Sequence, residues 1–189
     1  MSTVEKQTYT ATQLLAMEDE KGYELVNGEL VERHVSGESS HIAVLLIGLL
    51  TPFVSKGKLG YLFGADCGFQ CFGLTTGDAD RVRKPDVSFV ATGRITQVDY
   101  QAGYVPVVPD LAVEVVSPND KARELDEKLE EYLQAGVKLV WIVHPKTKTV
   151  DVHRPDGSDS RLRADDKLTG EDVIPGFECQ VADLFPEVP

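Results

Sequence analysis

The pattern of apolar and polar positions is clearest in the second half of the chain. Two apolar runs, at 109–116 and 139–143, have the length of buried strands. Between them, Leu125, Leu129 and Tyr132 recur at helical spacing, and Gly136 is suited to ending the helix. The pattern therefore predicts a strand, a helix over about 120–135 and a second strand in succession.

The first half predicts three further elements. A short helix is expected within 8–19, and a long helix at 41–55 that is apolar nearly all round and should therefore be buried. Asn27-Gly28 lies between two alternating runs, which is the strongest local signal for a β-hairpin.

Strands complete this picture on both sides of the central unit. One is expected at 83–90, and the alternation at 149–154 indicates an antiparallel partner for the strand at 139–143. Together the elements predict an α/β fold in which a mixed β-sheet is flanked by helices, with an N-terminal hairpin and a C-terminal antiparallel extension. A length of 189 residues and the lack of a linker favour a single domain over 1–189.

Composition narrows the class of protein. Nineteen Lys and Arg against 31 Asp and Glu give a formal net charge of −12, which argues against strong nonspecific attraction to nucleic acid or to an anionic membrane. Three cysteines do not resemble a secreted disulfide framework. The N-terminus is polar, and the apolar run at 42–54 is too short to span a bilayer. We therefore expect a cytoplasmic protein that does not enter the membrane.

Candidate chemistry begins with two carboxylates. Glu114 lies inside the apolar run 109–116, where an unpaired carboxylate is costly and is usually found beside a metal ion or another cation. Asp86 follows Pro85 at the entrance to a strand that should lie beside it. Asp and Glu on adjacent strands can share a hard divalent cation such as Mg²⁺.

Lys128 is expected to reach the same place. From the end of its strand, Glu114 lies back by about 10 Å at ~3.3 Å per residue. Lys128, nine residues into the following helix, returns by about 13 Å at ~1.5 Å per residue. Lys128 also shares the helix face of Leu125 and Tyr132, which should face the sheet. Lys121 shares this face too, but it lies at the level of the strand end, so Lys128 is the better candidate.

These residues resemble the motif of the PD-(D/E)XK nuclease superfamily and, more narrowly, the Uma-two family of restriction-endonuclease-like proteins. Pro85-Asp86 corresponds to the PD of the motif, and Glu114 to its second acidic residue. The motif Lys would stand at Val116, so the resemblance implies that it has migrated to the helix as Lys128. The stretches that carry the likeness cover nearly the whole chain: 23–30, His41, 84–87, 109–118, 128–137 and 172–177.

The resemblance implies a restriction-endonuclease-like fold and a metal-dependent endonuclease. Asp86 and Glu114 would bind Mg²⁺ or Mn²⁺, Lys128 would act on water or phosphate, and His41 would approach the site from the first long helix. Glu24 or Glu29 is a weaker addition from the hairpin. DNA is the expected substrate, and a homodimer would suit cutting both strands of a duplex.

Other interpretations remain open at this point. The charge of −12 motivates a nuclease-fold protein that no longer cuts and serves as a nucleic-acid- or protein-interaction module. A hydrolase acting on a smaller phosphate ester would also fit the charge. Glu114 could belong to a structural ion-pair network, Lys128 could cover apolar surface with its stem, and His41 could have no ligand role. Asp110, at the far end of the same strand, is interpreted as structural.

Overall fold

A six-stranded mixed sheet lies at the centre of the fold. The structure is a computed structural model that describes residues 7–70 and 81–185. The strands of this sheet, in chain order, are β3 (Gly60–Gly64), β5 (Val87–Ala91), β7 (Leu111–Val115), β8 (Leu139–His144), β9 (Thr149–His153) and β10 (Asp159–Leu162). Their spatial order is β10-β9-β8-β7-β5-β3, and β7 and β8 are the parallel pair.

Three smaller two-stranded sheets complete the β structure of the described residues. They are the hairpin β1 (Tyr23–Val26) with β2 (Glu29–Glu32), the parallel pair β4 (Gly68–Phe69) with β6 (Tyr104–Val105), and β11 (Lys167–Thr169) with β12 (Glu178–Gln180). Asn27 and Gly28 have φ of 52° and 77°, as the predicted tight turn requires. Backbone hydrogen bonds in both directions between Leu25 and Val82 attach the hairpin to the segment that leads into β5.

The described residues form four α-helices, α1 (Ala11–Leu15), α2 (Gly37–Gly57), α3 (Gln97–Gln101) and α4 (Ala122–Ala135), and short 3-10 helices at Glu20–Gly22 and Val181–Leu184. A capping box of Ser36 and Ser39 begins α2 four residues before the predicted start. Gly136 ends α4 in the left-handed conformation, as expected. The region 93–108, for which the sequence predicted no helix or strand, contains α3 and β6.

Apolar side chains cover both faces of the sheet. On one face, α2 and the C-terminal segment pack over Leu111, Val113 and Trp141. On the other face, α4 packs through Tyr132 against alternate positions such as Ala112 and Val140. Because both faces of the sheet are covered, β7 and β8 are apolar apart from Glu114 and His144. Successive residues of a strand point to opposite faces, so Glu114 lies on the α4 face with Ala112. The sheet thereby directs Glu114 toward the helix that carries Lys128.

Helix α2 is less buried than its composition predicts. Ile42, Leu46 and Leu50 face the sheet, whereas Val44 is exposed. In the described part of the chain, α2 is the one helix long and apolar enough to cross a membrane, with a mean hydropathy of 1.4. The apolar run considered in the sequence analysis is shorter than this helix, because that run leaves out the polar first turn of the helix. Core helices of soluble proteins pass the same test, and the packing of Leu46 and Leu50 on the sheet agrees with such a role.

A candidate metal and phosphate site between the sheet, the hairpin and helix α4

Asp86 and Glu114 lie opposite each other on adjacent strands. The antiparallel register pairs Val87 with Val113, and one step further along it Asp86 stands opposite Glu114. The backbone N–H of Val115 donates to Oδ2 of Asp86 at 2.8 Å, which fixes the Asp86 carboxylate against β7. The predicted pairing of the two strands is therefore present, and both carboxylates open into the same cleft.

Helix α4 brings two side chains to Glu114. Nζ of Lys128 donates to Oε2 of Glu114 at 3.2 Å, and the hydroxyl of Tyr132 donates to Oε1 at 2.5 Å. Lys128 and Tyr132 are one helical turn apart, so they share the face that packs on the sheet. The structure thus places Lys128 level with Glu114, as helix rise predicts.

The hairpin contributes Glu24, which is only 1% exposed. Its Oε2 accepts from Arg83 at 3.0 Å and lies 3.2 Å from Nζ of Lys128. Its Oε1 accepts from the backbone N–H of Lys84 at 2.8 Å. Glu24 therefore contacts Lys128 as closely as Glu114 does, although sequence reasoning gave it only a minor place. Alternation in β1 would place Glu24 on the face opposite the core residue Leu25, so no local signal indicated its burial.

Two arginines surround this centre. Nε of Arg83 donates to Glu131 of α4 at 2.7 Å, so one guanidinium joins the hairpin to the helix. Arg33, which follows β2, lies 3.4 Å from Oδ1 of Asp86. We call Arg83, Glu24, Lys128, Glu114 and Tyr132 the cleft network, because in this order each is joined to the next by a hydrogen bond or an ion pair.

Burial and charge shift the pKa values of these carboxyl groups in different directions. Burial, together with Asp86 and Glu24, raises the pKa of Glu114 to about 7 against the opposing effect of Lys128. Burial also raises the pKa of Asp86. Burial opposes the ionised form of Glu24 as well, but Lys128 and Arg83 outweigh it and lower the pKa of Glu24 to about 2. In the metal-free protein, Glu24 is therefore the firmly ionised partner and Glu114 the group that titrates near neutrality.

The cleft has a volume of about 280 Å³ and an acidic lining. Eight Asp and Glu residues and four Lys and Arg residues line it among the described part of the chain. Its walls come from the hairpin, the ends of β5 and β7, and the first turns of α4. The acidic residues are Glu24, Glu29, Glu32, Asp86, Glu114, Asp120, Glu124 and Glu127, and the basic ones are Arg33, Arg83, Lys121 and Lys128.

Comparison with known proteins assigns the family. The family model Uma2, described as "Putative restriction endonuclease", matches residues 9–182. The chain belongs to the Uma2 family. The family named from the sequence is thus confirmed. No curated protein matches the chain.

A solved structure supports the fold of this Uma2 protein. It is described as a putative nuclease belonging to DUF820, from Anabaena variabilis, and shares 20% sequence identity with the chain. The match covers 93% of this chain and 97% of that one, with a TM-score of 0.79. At this identity the likeness concerns the fold, and it confirms the predicted α/β architecture of a mixed sheet flanked by helices.

The donor set of the Uma2 chain suits a hard divalent cation with few protein ligands. Asp86 and Glu114 supply two carboxylates, and Mg²⁺ is commonly held by one or two carboxylates with waters and substrate phosphate. Within residues 7–70 and 81–185, no group of three or more His, Cys, Asp or Glu is arranged to hold a metal ion. The residues present therefore fit a two-carboxylate site rather than an all-protein cage.

The other site residues considered from the sequence lie outside the cleft or on its rim. His41 is exposed in the first turns of α2 and is not among the described residues that line the cleft. Ser39 bonds to the Ser117 hydroxyl at 2.9 Å, and His41, two residues on, points about 200° away. Lys121 and Glu29 lie on the exposed rim of the cleft. Asp110 accepts from the backbone of Ala91 at the opposite end of β7, in agreement with a structural role.

Proposed function

We propose that this Uma2 protein is a divalent-metal-dependent endonuclease that hydrolyses phosphodiester bonds of DNA. Family membership supports nuclease chemistry in general. The observation that carries the more detailed proposal is the meeting of Asp86, Glu114 and Lys128 in one cleft, with Lys128 at 3.2 Å from Glu114. Two carboxylates and an ammonium are suited to binding a cation and a phosphate side by side.

In this proposal Asp86 and Glu114 hold Mg²⁺ or Mn²⁺. A bound divalent ion of this kind lowers the pKa of its water and neutralises phosphate charge. The N–H of Val115 keeps Asp86 oriented, and the Tyr132 hydroxyl does the same for Glu114. These two donors leave other lone pairs of both carboxylates available, since a carboxylate offers about four acceptor sites.

Lys128 would act as a fixed positive charge. Burial alone would lower its pKa, but Glu114 and Glu24 raise it above the ordinary value, so the ammonium form is stable at neutral pH. An ammonium cannot accept a proton from water. We therefore assign Lys128 to stabilising the charge that develops on the phosphate, rather than to acting as a general base. The assisting role of His41 stays a prediction from the resemblance.

The acidic lining favours a second candidate function. Eight acidic against four basic residues disfavour binding of a polyanion to the metal-free cleft. A nuclease-fold interaction module without cleavage activity would show the same charge. The nuclease proposal therefore requires that DNA binding depend on a divalent cation or on a second chain. In a two-fold dimer, two clefts would face the two strands of a duplex.

Cleavage assays test the proposal. Supercoiled, linear duplex and single-stranded DNA are incubated with the purified protein in Mg²⁺, in Mn²⁺ or with a chelator. We expect cleavage with either ion and none with the chelator. The variants Asp86→Asn and Glu114→Gln should lose cleavage, because each removes one charged ligand of the ion.

A matched control separates catalysis from folding. Asp110→Asn also neutralises a buried carboxylate, directly before the other end of β7 and outside the cleft, so it should retain cleavage. Equal cleavage by wild type and Glu114→Gln would contradict the assignment of the site. Intact DNA under all conditions, together with metal-independent DNA or protein binding, would favour the interaction module.

A further inference from the structure

The Lys128 ammonium lies between two carboxylates at equal distance. Nζ is 3.2 Å from Oε2 of Glu114 and 3.2 Å from Oε2 of Glu24. The proposed function uses only one of these contacts, because Glu114 is a metal ligand and Glu24 is not. The second contact therefore needs its own explanation.

Glu24 is held much more firmly than its partner across the ammonium. Arg83 donates to Oε2 at 3.0 Å and the backbone N–H of Lys84 to Oε1 at 2.8 Å, so both oxygens are fixed. Arg83 is itself tied to Glu131 on the helix that carries Lys128. Arg83 thus joins Glu24 of the hairpin to the partly buried Glu131 of α4, and both oxygens of Glu24 are bonded within the protein.

A cation at Glu114 would compete with Lys128. Oε2 of Glu114 already accepts from Lys128, while Oε1 accepts from Tyr132. When Glu114 engages a divalent ion, its contact with the ammonium weakens, because two cations repel each other and share one carboxylate. A lysine whose only partner was Glu114 would either block the ion or leave the cleft.

We propose that Glu24 is a positioning residue that retains Lys128 in the cleft when Glu114 binds the metal ion. This inference rests on the proposed metal site and concerns how the site stays assembled. Glu24 gives the ammonium a permanent partner on the hairpin side, which frees Glu114 for the ion and keeps the positive charge beside the phosphate position. Glu24 itself touches neither the ion nor the substrate.

Mg²⁺ titrations by calorimetry test this role without DNA. Glu24→Gln should weaken Mg²⁺ binding about tenfold, the low end of the effect seen when a group supporting a metal ligand is removed. Glu131→Gln is the matched control, since it also removes a partner of Arg83 but has no contact with Lys128. Its Mg²⁺ affinity should stay close to that of wild type.

The Lys128→Met background distinguishes positioning from simple loss of a negative charge. If Glu24 acts through Lys128, Glu24→Gln should change Mg²⁺ affinity by less than about threefold once Lys128 is absent. The same loss of affinity in both backgrounds would overturn the inference, because Glu24 would then act on the ion directly through space.

Amine labelling followed by mass spectrometry, carried out in saturating Mg²⁺, follows Lys128 itself rather than the ion. Glu24→Gln should increase the labelling rate of Lys128 severalfold, with exposed Lys121 of the same cleft as internal reference. Unchanged labelling of Lys128 would overturn the inference even if cleavage is observed. Wild-type protein that binds no Mg²⁺ would refute the proposed metal site and this inference with it, whereas Mg²⁺ binding with unchanged labelling of Lys128 would overturn the inference alone.

Discussion

Replacing Lys128 by Met would leave the carboxylates of the cleft without their shared cation. Lys128 lies 3.2 Å from both Glu24 and Glu114, and each contact corresponds to about 5 kcal/mol of Coulomb energy at an effective dielectric constant of ~20. Desolvation offsets much of this attraction, and breaking a buried ion pair typically costs about 3–5 kcal/mol. We expect Lys128→Met to lower the free energy of unfolding by that amount at pH 8.

The loss should be smaller at pH 5. The pKa of Glu114 is about 7, so near pH 5 this group is largely protonated and needs no cation. Glu24, with a pKa of about 2, still needs one. The effect of Lys128→Met at pH 5 should therefore be about half of that at pH 8, since one of two ionic contacts remains to be lost.

Urea unfolding at the two pH values measures both effects. The double variant Lys128→Met with Glu114→Gln completes a mutant cycle, and we expect a coupling of about 1–3 kcal/mol at pH 8 that nearly vanishes at pH 5. Glu130→Gln, on the exposed side of α4, is the control for helix substitutions. Equal destabilisation at both pH values, with additive single effects, would refute the reasoning that Lys128 compensates an ionised Glu114.

Other predictions concern individual groups. The folded-state pKa of Glu114 lies above its unfolded value of 4.5, so the contribution of Glu114 to stability is complete below pH 4.5 and is lost as pH rises through about 7. The free energy of unfolding of wild type should fall by up to about 3 kcal/mol over that range. In urea titrations, Glu114→Gln should show a flatter dependence of this free energy on pH. Tyr132→Phe should lose about 1–3 kcal/mol because a buried carboxylate oxygen loses its donor, and an unchanged midpoint would contradict that bond. Ser36→Ala should cost about 1 kcal/mol and speed amide exchange in the first turn of α2. Gly28→Ala should cost about 1–2 kcal/mol, because φ is 77° there; equal thermal midpoints would argue against the turn.

Local patterns were sufficient to predict most of the fold. Continuous apolar runs identified β7 and β8, and a helical repeat identified α4, because burial of a strand on both faces or of a helix on one face determines which positions are apolar. The hairpin followed from the chemistry of Asn27-Gly28. The short elements α3 and β6 were missed, since five residues and two residues are too few for a period to be visible. The burial of α2 was also overestimated, because composition does not show which side of an apolar helix packs against the rest of the protein.

The candidate site was predictable where geometry is regular. Strand and helix rise alone placed Lys128 beside Glu114, because both residues belong to one continuous strand–helix unit. Glu24 was undervalued because its position depends on how the hairpin docks, through Leu25 and Val82, onto a segment almost 60 residues away. No local pattern encodes that contact. Tyr132 was identified as a core residue, but its hydroxyl bond to Glu114 depends on side-chain direction, which spacing does not give.

The carboxylates at the two ends of strand β7 differ in a way that favours a chemical role for the cleft network over a purely stabilising one. Asp110 at one end is also buried, yet it bonds to the backbone N–H of Ala91 and its pKa is lowered, with Arg94 and Lys138 reaching it from solvent. Such a carboxylate is most stable when ionised. Glu114 at the other end faces a partly buried ammonium and further carboxylates, and its pKa is raised to about 7. Apolar residues of similar volume would serve stability as well as or better than a buried ion-pair network. A carboxylate that stays ionisable beside an open cleft therefore agrees with the proposal that Glu114 exchanges a proton for a metal ion.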